Sequence, residues 1–170
     1  LEAFARRAME IHPSLLVAGG NCNAYSGVGD PCLPYRDLMA MLTGDVEARC
    51  AAGAITRDHA RRLWAAFPPV VQLLLDHGPP LLEAFVPGAA LLSRSMAAGQ
   101  GNAPWLSRLR EHVKRDWSGM KDLEQSHLFQ QVANVLLAVA RTQPLLLILD
   151  DIQWADAASI TLLFHLGRRL

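Results

Sequence analysis

The chain has 170 residues, of which 51% are hydrophobic and 19% charged, and its basic and acidic side chains cancel to a formal net charge of zero. This is enough apolar material for one buried core. Neutrality excludes a global field drawing the chain to nucleic acid or an anionic membrane, and no apolar run reaches the roughly 18 residues of a membrane span.

No secretory signal pattern opens the sequence, so the expected location is the cytoplasm. Cys22, Cys32 and Cys50 are odd in number and lack paired CxxC spacing, so they read as reduced, incidental thiols. The six histidines are scattered with no i, i+4 pair, which argues against a structural zinc site.

In chain order, Leu1, Phe4, Ala8 and Ile11 recur at helical spacing, and His12-Pro13 stops that helix. Ser14 to Gly19 reads as a strand. Asn21 to Pro31 is dense in turn formers and reads as a loop. Its Gly27-Val28-Gly29 lacks the third glycine and the Lys-Ser/Thr of a phosphate-binding loop. The loop nevertheless leaves the carboxyl end of a strand, where ligands of parallel sheets gather. Asn23 and Tyr25 are therefore its candidate ligand contacts, the alternative being a surface turn whose Tyr25 packs on a neighbouring helix.

A helical region follows. Pro34 suits the first turn of a helix striped by Tyr35, Leu38, Met39 and Leu42. Thr56 can cap a helix bearing Ala60, Leu63, Trp64 and Phe67, which Pro68-Pro69 is expected to divide from a second helix with Val70, Val71, Leu74 and Leu75. His77-Gly78-Pro79-Pro80 ends it, and Leu81 to Phe85 and Ala89 to Ala98 add short helices. Gly99 to Gly119 mixes Gly, Pro and charges, including Arg108, Arg110, Glu111, Lys114, Arg115 and Asp116. Its interleaved signs predict a solvated, mobile loop rather than a DNA contact. Leu128, Val132, Val135, Leu136 and Val139 then form one helix face suited to pack on the strand after Pro144.

That strand, Leu145-Leu146-Leu147-Ile148-Leu149, has no polar face and runs into Asp150-Asp151. Such a strand belongs inside a parallel sheet covered on both sides by helices. One Asp in the following turn would be ordinary, but two adjacent acids repel and become useful chiefly where a cation neutralises them. Asp156 is placed to cap a helix over 157 to 169 with Ile160, Leu163, Phe164 and Leu166 inward, Trp154 can cover the sheet edge, and Arg168 and Arg169 suit the negative helix end.

The run from Leu145 to Asp151, continued by Ile152-Gln153-Trp154-Ala155-Asp156, resembles a Walker B strand and the residues after it in the STAND branch of P-loop NTPases, the origin-recognition-complex-like AAA ATPase domain of large bacterial signalling regulators. The resemblance implies a partial three-layer α/β P-loop NTPase fold of ASCE/AAA type, two adjacent parallel strands with a long helical insertion. It divides one incomplete domain into a helix and strand (1–20) that follow a Walker A loop, a loop and helical insertion (21–120), and a helix, Walker B strand and closing helix (121–170). It implies ATP and Mg2+ as ligands, Asp150 on the magnesium and Asp151 as the acid that polarises water, where many relatives of the wider class carry Glu. Asn23 and Tyr25 become candidate nucleotide contacts.

No Gly-x-x-x-x-Gly-Lys-Ser/Thr occurs in the sequence, and it opens on Leu, so the expectation is a fragment cut just after its Walker A loop and inactive alone, exposing backbone edges and apolar faces. The resemblance implies an ATP-dependent regulatory switch in the complete protein, partnered by cyclase, DNA-binding or tetratricopeptide domains of the same polypeptide. Nucleotide-dependent self-association is compatible with it, and direct nucleic-acid or membrane contact by this segment is not implied. Two alternatives stand: a catalytically inert helical interaction module that retains the Asp pair, and a truncated phospho-receiver domain, for which too little chain follows Asp151.

Overall fold

A computed structural model describes residues 2–23, 31–99, 101–114 and 125–169. Helix α1 (Glu2–Ile11) leads into strand β1 (Leu16–Asn21), and helices α2 (Leu33–Leu42), α3 (Glu47–Ala51), α4 (Arg57–His77), α5 (Leu81–Ala84), α6 (Gly88–Ala97) and α7 (Pro104–Lys114) form the insertion. Helix α8 (Gln125–Thr142) then leads to strand β2 (Leu145–Asp150), a short 3-10 turn (Ile152–Trp154) and helix α9 (Ala157–Gly167). The two strands lie side by side and parallel, with Leu16 opposite Leu145 and Asn21 opposite Asp150. This is the expected partial α/β P-loop NTPase-like arrangement, mostly helical around an open sheet.

The sheet separates two apolar clusters. On one face Ala5 and Met9 of α1 meet Leu15 and Val17, with Leu146 and Ile148 packed against them. On the other, Leu16, Ala18, Tyr35, Leu38, Leu63, Phe67, Val132 and Leu162 belong to the main core, which Leu145, Leu147 and Leu149 flank. Strict alternation along β2 thus sends successive leucines to different layers. Contrary to expectation, β2 is half-buried rather than interior, since β1 is its neighbour on one edge only among the described residues.

The outer edge of β1 is partly covered by side chains. His59 of α4 pairs its Nε2 with the Val17 carbonyl at 2.7 Å, and the Gly19 amide donates to Met41 Sδ of α2 at 3.4 Å. Both backbone groups point away from β2, so an edge expected to be bare is occupied at these two positions. The outward amides and carbonyls of Leu145, Leu147 and Leu149 have no such cover among the described residues. Gly20 allows β1 to touch the insertion, because a Cβ there would stand 1.9 Å from the Pro34 carbonyl oxygen.

Several helix readings are corrected. Pro68 and Pro69 lie inside one continuous α4. A proline pair costs helix hydrogen bonds, but Phe67, Val70 and Val71 on either side are fully buried. The stretch read as a mobile loop contains α7, whose Trp105, Leu106, Leu109 and His112 are buried; Arg115 and Asp116 lie outside the described residues. Helix α1 buries Ala5 and Met9, while Phe4 and Ile11 face outward. In α9 the buried positions are Ser159, Leu162 and Leu166, whereas Leu163 and Phe164 are exposed. A helix apolar nearly all round carries no stripe from which its inner face can be chosen. Helix α8 buries the predicted Val132, Val135, Leu136 and Val139, lying mainly against α4, α9 and α5, and Leu145, Leu147 and Leu149 of β2 pack against the same core.

Candidate functional site

Asp150 ends β2 and Asp151 follows it in a left-handed conformation, φ 54° and ψ 39°. For a residue with a Cβ this costs roughly 1–2 kcal/mol, and the turn compensates locally. The Asp151 amide donates to Asp150 Oδ1 at 2.9 Å, Gln153 Nε2 donates to Asp151 Oδ1 at 3.0 Å, and the Trp154 amide donates to the Asp151 carbonyl at 2.9 Å. Each acid therefore has one carboxylate oxygen held by the turn and one with no partner among the described residues. Both acids are exposed at the carboxyl end of the sheet, where parallel α/β folds bind ligands.

The neighbouring end of β1 is tied to them, with the Cys22 amide donating to the Asp150 carbonyl at 3.1 Å. Cys22 is buried, and its thiol is pushed up first by that burial and then by the charges of Asp156, Asp151 and Asp150. Cys32, at the amino end of α2, is pushed up to about 12 by burial and by Asp156, with Arg36 opposing. Tyr35, one turn on, is raised by burial in the same surroundings, and its hydroxyl has no hydrogen-bond partner among the described residues. Of the three thiols read as incidental, Cys22 and Cys32 are therefore buried beside the acids.

Asp156 caps α9 as expected, accepting from the Ser159 amide at 3.0 Å and the Ser159 hydroxyl at 2.5 Å. It also accepts from the Cys32 amide at 3.3 Å, a contact across 124 residues of sequence. Burial alone would raise its pKa, but hydrogen bonds from the Ser159 hydroxyl and the Ser159, Cys32 and Ala158 amides hold the carboxyl below its ordinary value. Trp154 is 53% exposed and does not cover the sheet edge. Arg169 reaches back to Gln130 and Asn134 of α8. Asn23 is exposed just beyond β1, and Tyr25 lies outside the described residues.

A cleft of about 550 Å3 opens beside Asp150. Glu2, Ala3 and Arg6 from the first turns of α1 form one wall, Gly19, Gly20 and Asn21 of β1 the floor, and Arg49, Thr56 and His59 the opposite side. Arg49 is paired to Asp37 at 2.9 Å. His59 is nearly buried, and burial first, then Arg62, lowers its pKa against the Val17 carbonyl and Asp58. Sequence reading missed this contribution from the insertion, because no local pattern brings residues 49–59 to β1. The adjacent Gly19-Gly20 inside a strand was the available signal for close approach.

A family model described as an AAA ATPase domain matches residues 2–170. No curated protein and no solved structure matches the chain.

Proposed function

The chain belongs to the AAA ATPase domain family, and from that premise we propose that it forms the Walker B half of a magnesium-dependent ATP site in a STAND-type regulatory switch. The observation that carries the reading is one cleft bounded both by the first turn of α1 and by Asp150. A helix amino terminus favours phosphate through its free amides and dipole, and the Asp150 carboxylate stands at the same opening, with Asp151 next in the chain. The phosphate-binding loop needed to complete such a site is not in this sequence.

The donor chemistry fits magnesium. That ion takes one or two carboxylates and fills its remaining positions with water and phosphate oxygens, and Asp150 and Asp151 offer hard oxygens without a third ligand that would build a closed site among the described residues. When bound, magnesium neutralises charge on the phosphates. Asp150 is the residue to hold it, through the oxygen left free of the Asp151 amide. Asp151 is the residue to accept a hydrogen bond from the attacking water, and Gln153 fixes its other oxygen so that the free one has a defined direction. The switch output would be a change in how neighbouring cyclase, DNA-binding or tetratricopeptide domains dock.

Asp151→Asn in the complete protein tests the assignment: ATP binding is retained and turnover is lost. Equal turnover by the mutant removes Asp151 from the mechanism. A complete protein that binds no ATP supports the inert interaction module instead.

A further inference from the structure

We infer that Asp156 is a positioning residue: its carboxylate ties the turn that carries Asp150 and Asp151 to the amino end of α2, and through that tie sets where Asp151 stands. The role rests on the phosphoryl-transfer reading above.

Capping alone does not account for what this side chain does. One accepted amide satisfies an N-cap, and the Ser159 amide supplies it to Oδ1. Oδ2 is occupied separately by the Ser159 hydroxyl and the Cys32 amide. The second bond leaves α9 altogether and reaches the segment that continues from β1. Cys32 holds a left-handed φ of 62°, and Asp151 one of 54°. Neither is glycine, and such conformations persist only where the surroundings determine them.

The two residues sit at opposite ends of one short path. From Asp151 the 3-10 turn over Ile152–Trp154 runs to Ala155 and Asp156, and the Asp156 carboxylate closes the path onto Cys32. The Cys22 amide, bonded to the Asp150 carbonyl, closes it again on the other side. The acids are thus held between two crosslinks, one to Cys22 just past β1 and one to Cys32 at the amino end of α2. A displacement of Cys32 at the amino end of α2 is transmitted to Asp151 through Asp156, whose carboxyl is held below its ordinary value by these hydrogen bonds.

The test separates cap from crosslink. Ser and Asn are N-caps as strong as Asp, but neither supplies a second carboxylate oxygen for the Cys32 amide. In the complete protein, Asp156→Ser and Asp156→Asn should keep the fold and bind Mg-ATP within about twofold of wild type. Hydrogen exchange of the Cys32 amide should accelerate about tenfold, as expected for one lost hydrogen bond. kcat should fall about tenfold with KM little changed, as for a misplaced reacting group. Unchanged exchange at Cys32, faster exchange with unchanged kcat, or unfolding of both variants would each overturn the positioning role. A wild type without turnover would instead overturn the phosphoryl-transfer reading and this role with it, while the exchange result would still report whether the crosslink exists.

Discussion

The Nε2 of His59 and the carbonyl oxygen of Val17 lie 2.7 Å apart, joining the first turn of α4 to the outer edge of β1. A carbonyl only accepts, so the ring must donate from Nε2, and burial favours its neutral form. The depressed folded pKa means that the unfolded chain takes up this proton first as pH falls. The stabilisation is complete above the ordinary histidine value of 6.5 and is lost as pH drops from there through the lower folded value. Thermal unfolding between pH 7.5 and 5 should show a falling midpoint, and His59→Gln should flatten that part of the profile.

Gly19 and Gly20 are neighbours with opposite tolerances. A Cβ on Gly19 meets only the Ile148 carbonyl oxygen at 3.9 Å, whereas one on Gly20 falls 1.9 Å from the Pro34 oxygen. Backbone cannot swing aside as a side chain can. Gly20→Ala should cost about 3 kcal/mol or more, and Gly19→Ala about 0.5 kcal/mol or less, read as shifts of the urea midpoint.

Leu162 and Phe164 provide a matching pair on α9. Leu162 is fully buried and Phe164 is 69% exposed. Truncating Leu162 to Ala should cost about 3 kcal/mol through lost burial and a cavity; Phe164→Ala should stay within about 0.5 kcal/mol. Denaturant unfolding distinguishes this from the opposite orientation, in which Phe164 would be the costly change.

The thiols should separate by reactivity. Burial and nearby carboxylates raise both Cys22 and Cys32, the latter to about 12, so at pH 8 each is held as a thiol away from solvent. Cys50 is only partly buried. Brief iodoacetamide treatment followed by peptide mass spectrometry should find Cys50 modified first and the other two only after denaturation. Modification of Cys32 at the Cys50 rate would contradict the buried, acid-lined environment.

Helix and strand order was legible where chemistry is local. Pro34 in the first turn of α2, Thr56 and Asp156 as N-caps, and the Val132–Val139 face of α8 follow from spacing and caps alone. The pairing of the strands, with Asp150 at the carboxyl end, agrees with the expected sheet. What escaped depends on tertiary packing. Phe67 and Val70 bury deeply enough to carry α4 through two prolines, the apolar residues of α7 were masked by the charges between them, and α9 presents apolar residues in every direction. The Asp156–Cys32 bond has no local signature, since its donor is a backbone amide 124 residues away.

The two margins of the sheet are not equivalent. His59 and Met41 occupy the Val17 carbonyl and the Gly19 amide on the far side of β1, while the outward groups of Leu145, Leu147 and Leu149 on β2 are open among the described residues. Among the described residues the sheet therefore has one partly guarded margin and one open margin. A strand that joins beside β2 turns it from a margin into an interior strand, and a parallel newcomer there brings its own carboxyl end next to Asp150 and Asp151. Such an addition would complete the core and place the two acids midway along the rim in the same step.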